Sequence, residues 1–475
     1  MKLPTMRFIQ LNKILKLCII TLLISYTGCT FPGSKKDTNR IRFTIQNTLA
    51  IPQKNIPINL SLERLKTVKS DFSLKAFSVV TGKAPKEAMI PAQADDLDYD
   101  GIRDQLTFLL DFLPQETKEI SILYDPDVQA TFTLEVKKQS RAGIFPELEA
   151  SGAIESDLMA YVLKPNGSII PYGKKREDLF SVDGMFQNEL NYNQQLSPEF
   201  RQHFESNNIQ LTQNPQAINI ELITPEFSWI IHDLENQEDY YIRKSDQQLN
   251  LYKSIGLSLN QLLNDENTTL VPLIPQGTII GCGGYLIYNK ESKDYISLND
   301  KKDYIRILAN GGMRSVIQRI LPEAEISGEI YKITVSSFIY SRNTWINQTI
   351  HLDRQLPTDI GLLVGIPKIG SDYGIDEELN MIWSWGTDPT DTHPLGYALF
   401  YSESLNDGIV DIDPSILSLS LRTNEAGHLY YRVLSIWDGG INTIQTKSEF
   451  LQYIKNMRIT MDNEPTINFI LGEVK

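Results

Sequence analysis

The sequence predicts a mostly β protein built from antiparallel sheets. Apolar and polar residues alternate with a period of two along many short segments, which is typical of strands with one buried face. Pro, Gly and Asp turns separate these segments, and the strand–helix–strand rhythm of a parallel sheet is missing. We therefore predict an N-terminal antiparallel β-sandwich, followed by a larger β-sandwich that carries a helical insertion.

The first 28 residues predict a lipoprotein signal peptide. Four basic residues precede an apolar run, Leu17–Ile24, and Tyr26-Thr27-Gly28-Cys29 closes the segment. The run is far shorter than the ~20 residues that span a bilayer. Cleavage before Cys29 would leave a lipidated N-terminus followed by a tether over residues 29–40. We predict an envelope lipoprotein of the periplasm-facing outer membrane; a plain secretory signal with an incidental cysteine is the alternative.

The period-two pattern places the first sandwich at residues 41–138. The apolar positions of its strands are Ile41, Phe43 and Ile45; Ile56, Ile58, Leu60 and Leu62; Leu106, Phe108, Leu110 and Phe112; and Phe132, Leu134 and Val136. Residues 137–143 are polar, contain Gly143 and predict a linker.

The larger sandwich is predicted over residues 144–475. Residues 176–265 are rich in Asn, Gln, Asp and Glu and predict a polar insertion, helical in part around 198–207 and 252–264. Strands follow at 278–288, 304–308, 330–340, 344–352, 360–366, 395–401 and 429–437. A large antiparallel sandwich commonly presents a wide concave face, which suits an extended polymer.

Charge and cysteine usage limit the partners. The formal net charge of −14 would repel nucleic-acid phosphates and an anionic membrane surface, so contact with a membrane is expected only through the N-terminal lipid. Of the three cysteines, Cys18 lies in the signal and Cys29 would be acylated. Cys282 alone cannot form an internal disulfide, and its place between apolar runs favours a small buried residue over a nucleophile.

An acidic loop near residue 100 has the residue types of a calcium site. Aspartates recur at alternate positions and are followed by Gly101; the candidate ligands are Asp96, Asp98, Asp100 and Asp104. The position that holds a bidentate Glu in an EF-hand is occupied by Thr107, and a strand follows instead of a helix. The alternative is a hairpin turn that needs no ion. No cofactor is required, and Ca²⁺ is the candidate structural ion.

A second cluster combines aromatic and acid–base residues. Trp383 and Trp385 precede a polar loop that holds Asp391 and His393. Tryptophan faces suit sugar rings, and a histidine beside an aspartate can act as general acid or base. Core packing of the tryptophans and a turn role for His393 are the alternatives.

One strand has a polar face that suggests a groove. Trp345, Asn347 and Thr349 share this face with His351, and the opposite face is apolar. These side chains can line a glycan-binding surface, although a solvated face has the same pattern. Metalloprotease, zinc-finger, hydrolase-elbow and nucleotide-binding motifs are missing from the sequence.

Several segments together resemble one family. They are Asp98–Leu106, Glu155–Tyr161, Tyr172–Lys175, Leu308–Arg314, Leu395–Ala398 and Tyr430–Trp437. They are similar to signatures of the domain-of-unknown-function family 4861, whose members are exported bacterial proteins associated with polysaccharide utilisation. The chain departs from the family pattern at Lys253 and at Ile255–Ser258, where relatives carry a histidine and a W-G-x-D segment.

The resemblance implies a galactose-mutarotase-like sandwich and a carbohydrate ligand. The first hypothesis is an envelope lipoprotein that acts on uronate-containing polysaccharide as a lyase or hydrolase. Arg314 and Lys174 would neutralise a uronate carboxylate, and His393 with Asp391 would transfer protons. The alternative is a non-catalytic glycan-binding lipoprotein. Its candidate contacts are Trp383, Trp385, Trp345 and His351.

Overall fold

A computed structural model describes most of the chain after residue 38. The described residues are 39–82, 86–127, 139–143, 152–175, 177, 179, 218–224, 228–233, 238–242, 270–274, 279–296, 303–387, 393–411, 413–441 and 444–470. The chain divides into two compact units, Met1–Arg40 and Ile41–Lys475, and the second contains both sandwiches. Within the described residues, no helix is long and apolar enough to cross a membrane.

The first sandwich combines a five-stranded sheet with a three-stranded sheet. Its elements are β1 (Arg40–Gln46), β2 (Gln53–Ser61), α1 (Leu62–Val68), β3 (Phe77–Thr81), β4 (Ala88–Ile90), β5 (Ala92–Asp95), β6 (Gln105–Phe112), β7 (Thr117–Tyr124) and, from the far end of the chain, β29 (Thr466–Phe469). The sheet orders are β29-β1-β7-β3-β4 and β2-β6-β5. The predicted apolar faces of β1, β2 and β6 meet in one core. The last described strand therefore completes the first sheet.

The larger sandwich begins with four short strands, β8 to β11, and continues through the polar region. These elements are β8 (Ser140–Gly143), β9 (Gly152–Ser156), β10 (Met159–Leu163), β11 (Ile169–Lys174), β12 (Ile218–Thr224), β13 (Ser228–Asp233), β14 (Glu238–Ile242), β15 (Leu270–Pro272), β16 (Tyr285–Asn289) and β17 (Tyr295–Ile296). The later elements are β18 (Asp303–Asn310), β19 (Arg314–Ile326), β20 (Glu329–Tyr340), β21 (Trp345–Leu352), β22 (Ile360–Pro367), β23 (Asp372–Asp376), β24 (Met381–Thr387), β25 (Pro394–Phe400), a 3₁₀ turn (Glu403–Leu405), β26 (Asn406–Ile409), β27 (Ile416–Leu421), β28 (His428–Trp437) and α2 (Lys447–Asp462).

One long antiparallel sheet organises this sandwich. Its order is β14-β13-β12-β18-β19-β20-β21-β28-β25-β24-β23, and two five-stranded sheets, β15-β11-β10-β9-β8 and β17-β16-β22-β27-β26, contribute to the same core. Because side chains alternate across a strand, Ile346 and Ile350 of β21 enter this core while Trp345 and Asn347 project from the other face of the long sheet. The prediction of a mostly β chain with two antiparallel sandwiches is confirmed.

Helix α2 covers part of that outer face of the long sheet. Thr446 and Glu449 form a capping box at its first turn, which satisfies backbone N–H groups that have no partner within a helix. Phe450 and Ile454 bury against Phe400 and neighbouring side chains of the sheet. The T-x-x-E pattern of this capping box is visible in the sequence. The helix contains few apolar residues, so its amphipathic face was not predicted from the sequence.

Two sequence predictions need comment. The predicted linker contains a strand, because residues 140–143 form β8 and pair with β9, and the side chains of Arg141 and Ala142 are buried. In the predicted helical insertion, the described residues form β12, β13 and β14. The predicted helices at 198–207 and 252–264, and the strand around Phe132–Val136, lie outside the described residues.

A buried ion pair joins the first sandwich to the long sheet. Arg314, at the start of β19, donates to Asp95 Oδ2 from Nε (3.0 Å) and Nη2 (2.5 Å), and to Gln105 from Nη1 (2.5 Å). Gln93 donates to the other oxygen of Asp95 (2.6 Å) and accepts from the backbone N–H of Met313 (2.9 Å). Burial alone would lower the pKa of Arg314, but the neighbouring Asp95 carboxylate and Tyr340 raise it above its ordinary value.

We predict that Arg314→Met lowers the free energy of unfolding by about 3–5 kcal/mol, because Asp95 would stay buried without its cation. Chemical denaturation followed by fluorescence measures the change. The matched control is Arg422→Met. Arg422 also pairs with a carboxylate, that of Asp407, but the Arg422 side chain is 59% exposed. We expect the control to cost at most about 1 kcal/mol. Equal losses of unfolding free energy in both variants would contradict a stabilising role of the buried Arg314–Asp95 ion pair.

Candidate functional site

The described residues enclose a cavity of about 470 Å³ between the first sandwich, the outer face of the long sheet and α2. Its volume lies in the usual range of ligand pockets. It is lined by Pro52, Gln53, Lys54, Asn55, Ile56, Pro57, Asn59, Leu158, Phe338, Tyr340, Arg342, Asn343, Thr344, Trp345, Asn347, Tyr430, Arg432, Tyr453, Asn456, Met457, Thr460, Met461, Glu464 and Pro465. We refer to it as the junction pocket.

Arg432 is held rigidly in the junction pocket. Its guanidinium lies 3.8 Å above the centroid of the Trp345 ring, and Nε donates to Asn347 Oδ1 (2.8 Å). Burial lowers the pKa of Arg432, and Tyr430 opposes this effect. An arginine keeps its charge in proteins despite such a shift. Among the described residues, no carboxylate lies within 4 Å of this guanidinium to form an ion pair, and the charge of Glu464 raises the pKa of Arg432 from a greater distance.

Asn347 is fully buried in the wall of the same pocket. Its Oδ1 accepts from two donors, Arg432 Nε and the Tyr430 hydroxyl (2.9 Å). A flipped amide would set its NH₂ group against these donors, so the orientation of the side chain is determined. The other amide atom, Nδ2, is buried and has no hydrogen-bond partner within the structure.

The charges that line the junction pocket are mainly positive. Lys54, Arg342 and Arg432 are the cationic lining residues, and Glu464 is the single carboxylate among the described lining residues. The whole chain has a net charge of −14. The net negative charge of the chain repels anions in general. The local excess of positive charge in the pocket attracts them, so the pocket favours an anionic ligand.

Tyrosines provide the aromatic surface of the pocket. Tyr430 and Tyr453 expose 43% and 37% of their surface, and both line the cavity. Burial raises the pKa of Tyr430, with Arg432 acting in the opposite direction, and burial also raises the pKa of Tyr453. The exposed surface and the burial are compatible, since a ring can be exposed while its hydroxyl points inward, as the Tyr430 hydroxyl does towards buried Asn347. Both hydroxyls are therefore protonated near neutral pH.

The turn between β20 and β21 carries one rim of the pocket, and it is supported from behind by β9 and β10. Asp157 accepts from the backbone N–H of Arg342 (2.5 Å), whose φ is +58°. The hydroxyls of Ser156 and Tyr161 donate to the carbonyls of Asn343 (2.6 Å) and Thr344 (2.5 Å). The segment Glu155–Tyr161 therefore holds the turn that leads into Trp345.

The two cations chosen from the sequence are both neutralised within the protein. Arg314 pairs with Asp95, and Lys174 pairs with Glu155 in a fully buried contact. Lys174 also donates to the carbonyl of Ser156 (2.8 Å). Arg314 lies behind the pocket wall, where its guanidinium is 5.9 Å from the ring of Tyr340. Their positions favour support of the site over contact with a ligand.

The tryptophans chosen from the sequence have their faces covered by other side chains. Arg432 covers Trp345, Phe450 stacks on Trp385 at 5.0 Å, and Lys447 lies 5.3 Å from the ring of half-buried Trp383. Of the three, Trp345 lines the junction pocket. It supports the guanidinium that faces the ligand space, and it does not offer an open face for a sugar.

The candidate histidines lie outside the junction pocket. His393 is exposed and contacts the edge of Trp437 at 5.8 Å, and Trp437 packs into the core on the opposite face of the long sheet from Arg432. His351 stacks on His428 of β28 at 4.4 Å. Neither His393 nor His351 is among the residues that line the junction pocket. Asp391, Cys29 and the departures from the family pattern at Lys253, Ile255 and Ser258 lie outside the described residues.

The acidic loop groups three of its four predicted ligands. Oxygens of Asp96, Asp98 and Asp104 lie within 4.8 Å of one another, whereas Asp100 is not part of the group. The Asp96 carboxylate accepts from the backbone N–H of Gly101 (2.7 Å), where φ is +84°. Partial desolvation raises the pKa of Asp98, the Asp100 N–H lowers it, and the charges of Asp104, Asp100 and Asp96 raise it further.

The sequence patterns predicted the groove-lining face of Trp345 and Asn347 but did not single out Arg432 and Tyr430. Arg432 and Tyr430 stand at alternate positions of β28, on the face opposite Tyr431 and Val433. The period-two pattern was a signal that these two residues share a face with each other. Their meeting with Asn347 depends on the pairing of β28 with β21, which places Asn347 opposite Arg432.

One protein family matches this chain, and some solved structures are similar to it. Residues 45–168 and 277–467 match the model of a domain of unknown function, DUF4861. A glycosyl hydrolase family 38 protein of Enterococcus faecalis is similar at 10% identity and a TM-score of 0.45, covering 91% of this chain and 47% of that one. An alpha-mannosidase of Enterococcus faecalis V583 is similar at 9% identity and 0.44, covering 93% and 47%.

The chain spans about half the length of these two solved structures. No curated protein matches the chain.

Burial and the nearby charge of His428 lower the pKa of His351, and Asp353 opposes them. The folded state therefore binds fewer protons at His351 than the unfolded chain, and stability falls as pH drops through the ordinary imidazole range towards the lowered pKa. We predict that His428→Gln raises the pKa of His351, as measured by NMR titration. His393→Gln, the control, should leave it unchanged. An equal pKa in wild type and His428→Gln would refute this coupling.

Proposed function

Because the chain belongs to the family of the domain of unknown function DUF4861, whose description assigns no reaction, we propose a function from the junction pocket: it binds uronate-containing polysaccharide. The observation that carries the proposal is the guanidinium of Arg432, stacked on Trp345 and bonded to Asn347 without a carboxylate partner among the described residues. A desolvated cation without a counterion is costly, and a ligand carboxylate would compensate it.

The rest of the lining fits a sugar better than a simple organic acid. Half-exposed Tyr430 and Tyr453 offer aromatic surface, while Asn55 and Thr460 offer amide and hydroxyl groups to a polyhydroxylated ligand. One or a few sugar units of a longer chain would occupy the pocket.

Binding without turnover is the form of the proposal that the pocket chemistry favours. A typical glycosidase uses two carboxylates, whereas Glu464 is the one carboxylate among the described lining residues. A lyase needs a base for the C5 proton, and the raised pKa of Tyr430 keeps its hydroxyl protonated. Cleavage by a lyase or hydrolase mechanism is therefore the second candidate. Its acid–base groups would have to come from outside the described lining.

The proposed function also includes a location in the bacterial envelope and a structural ion. The lipoprotein signal ending at Cys29 supports anchoring in the bacterial envelope, where exported polysaccharide would be met. The grouped oxygens of Asp96, Asp98 and Asp104 support a structural Ca²⁺ in the acidic loop. This loop precedes β6, whose first residue, Gln105, contacts Arg314. An ordered loop would therefore support the same junction that holds the pocket.

We predict that millimolar Ca²⁺ raises the midpoint of thermal unfolding, because binding to the folded state alone adds about 2.7 kcal/mol when the ion is at a hundred times its Kd. Scanning calorimetry with and without a chelator measures the shift. Asp98→Asn should abolish it, while Asp294→Asn, in an exposed aspartate outside the loop, should preserve it. A wild-type midpoint that ignores Ca²⁺ would leave the hairpin turn as the explanation of the loop.

We predict that Arg432→Gln weakens binding of an acidic galacturonate oligomer by at least tenfold, since a charge-assisted hydrogen bond contributes about 1.5–3 kcal/mol. Titration calorimetry measures the affinity. Arg354→Gln is the matched control, because that arginine is 53% exposed and lies outside the pocket lining. Incubation with the same oligomer, followed by ultraviolet absorbance of unsaturated products and by reducing-end assay, tests cleavage. Absent wild-type binding would refute the proposal.

A further inference from the structure

The buried amide nitrogen of Asn347 has no hydrogen-bond partner among the described residues. Asn347 is fully buried, and its Nδ2 lacks a hydrogen-bond partner, although buried polar groups are almost always paired. The neighbouring Oδ1 is saturated by Arg432 and Tyr430, so the amide cannot turn to satisfy itself. A donor left in this state costs free energy unless a ligand supplies an acceptor.

We propose that Asn347 and Arg432 together select the free carboxylate of a uronate over its methyl ester. One carboxylate oxygen accepts from the unused N–H groups of Arg432, and the other accepts from Asn347 Nδ2. This inference rests on the proposed function, because it assumes that an acidic glycan occupies the junction pocket. It adds the chemical form of the sugar acid and a specificity-determining residue.

The geometry supports this pairing of donors. Asn347 and Arg432 are directly opposite on paired strands, and the Nε–Oδ1 hydrogen bond of 2.8 Å ties the two planar groups together. Stacking on Trp345 at 3.8 Å orients the guanidinium before any ligand arrives. Two adjacent donor groups on a rigid support match the two oxygens of one carboxylate.

An ester would satisfy the pocket only in part. Its carbonyl oxygen can still accept from Asn347, but it carries no charge to compensate the desolvated guanidinium of Arg432. A neutral sugar unit would lack both the charge and the second acceptor. Discrimination between acid and ester therefore follows from the missing counterion, while the exact alignment depends on Asn347.

The test compares two aspartate substitutions in one pocket. Asn347→Asp keeps oxygens that accept from Arg432 and Tyr430, but it replaces the Nδ2 donor by an oxygen that repels a carboxylate. Asn456→Asp is the matched control, because Asn456 lines the same pocket and its Oδ1 already accepts from Gln452. Asn347→Ser removes the amide donor without adding charge. Thermal unfolding confirms that each variant is folded.

Titration calorimetry with a galacturonate oligomer and with its fully methyl-esterified form gives the result. We expect wild type to prefer the acid by at least about tenfold, Asn347→Asp to lose about 100-fold in affinity for the acid, Asn347→Ser about tenfold, and Asn456→Asp less than threefold. Acid binding by wild type with equal losses in Asn347→Asp and Asn456→Asp would overturn this inference alone. Absent acid binding by wild type would overturn it together with the proposed function.

Discussion

The ion pair between Arg314 and Asp95 is the interaction on which the rest of the structure depends. It is buried, it is satisfied by Gln93 and Gln105, and it joins β19 of the long sheet to β5 and β6 of the first sandwich. A buried charge tolerates little displacement, because any gap leaves it without compensation. The two sandwiches are therefore held in one relative position, and the pocket between them has a defined shape.

The segments that resemble family signatures have a common structural purpose. Asp157 and Tyr161 hold the turn between β20 and β21, Lys174 neutralises Glu155 beside them, and Arg314 fixes the start of β19. These contacts converge on the strands that carry the pocket lining. The segments that resemble the family therefore contain residues that hold the pocket in place. A pattern of charged residues in the sequence does not distinguish such residues from those that would contact a ligand.

The junction pocket shows preorganisation in its ligand-facing groups. Arg432 is stacked, bonded and desolvated before any ligand binds, and the orientation of Asn347 is set by two donors. Preorganised groups lose little freedom on binding, so their interactions contribute more fully to affinity. Among the described lining residues, Glu464 is the one carboxylate, and the raised pKa values of Tyr430 and Tyr453 keep their hydroxyls protonated.

The sequence alone determined the mostly β class, the apolar faces of strands such as β1 and β21, and the buried place of Cys282, whose pKa burial raises to about 12. These properties are local, because a period of two decides which side chains enter a core. The tertiary structure alone decided that Arg314 and Lys174 form buried ion pairs, whereas Arg432 forms no ion pair with a carboxylate among the described residues. Whether a charge is compensated depends on strand pairing and on packing between distant segments. The spacing of residues along the chain determines neither of these.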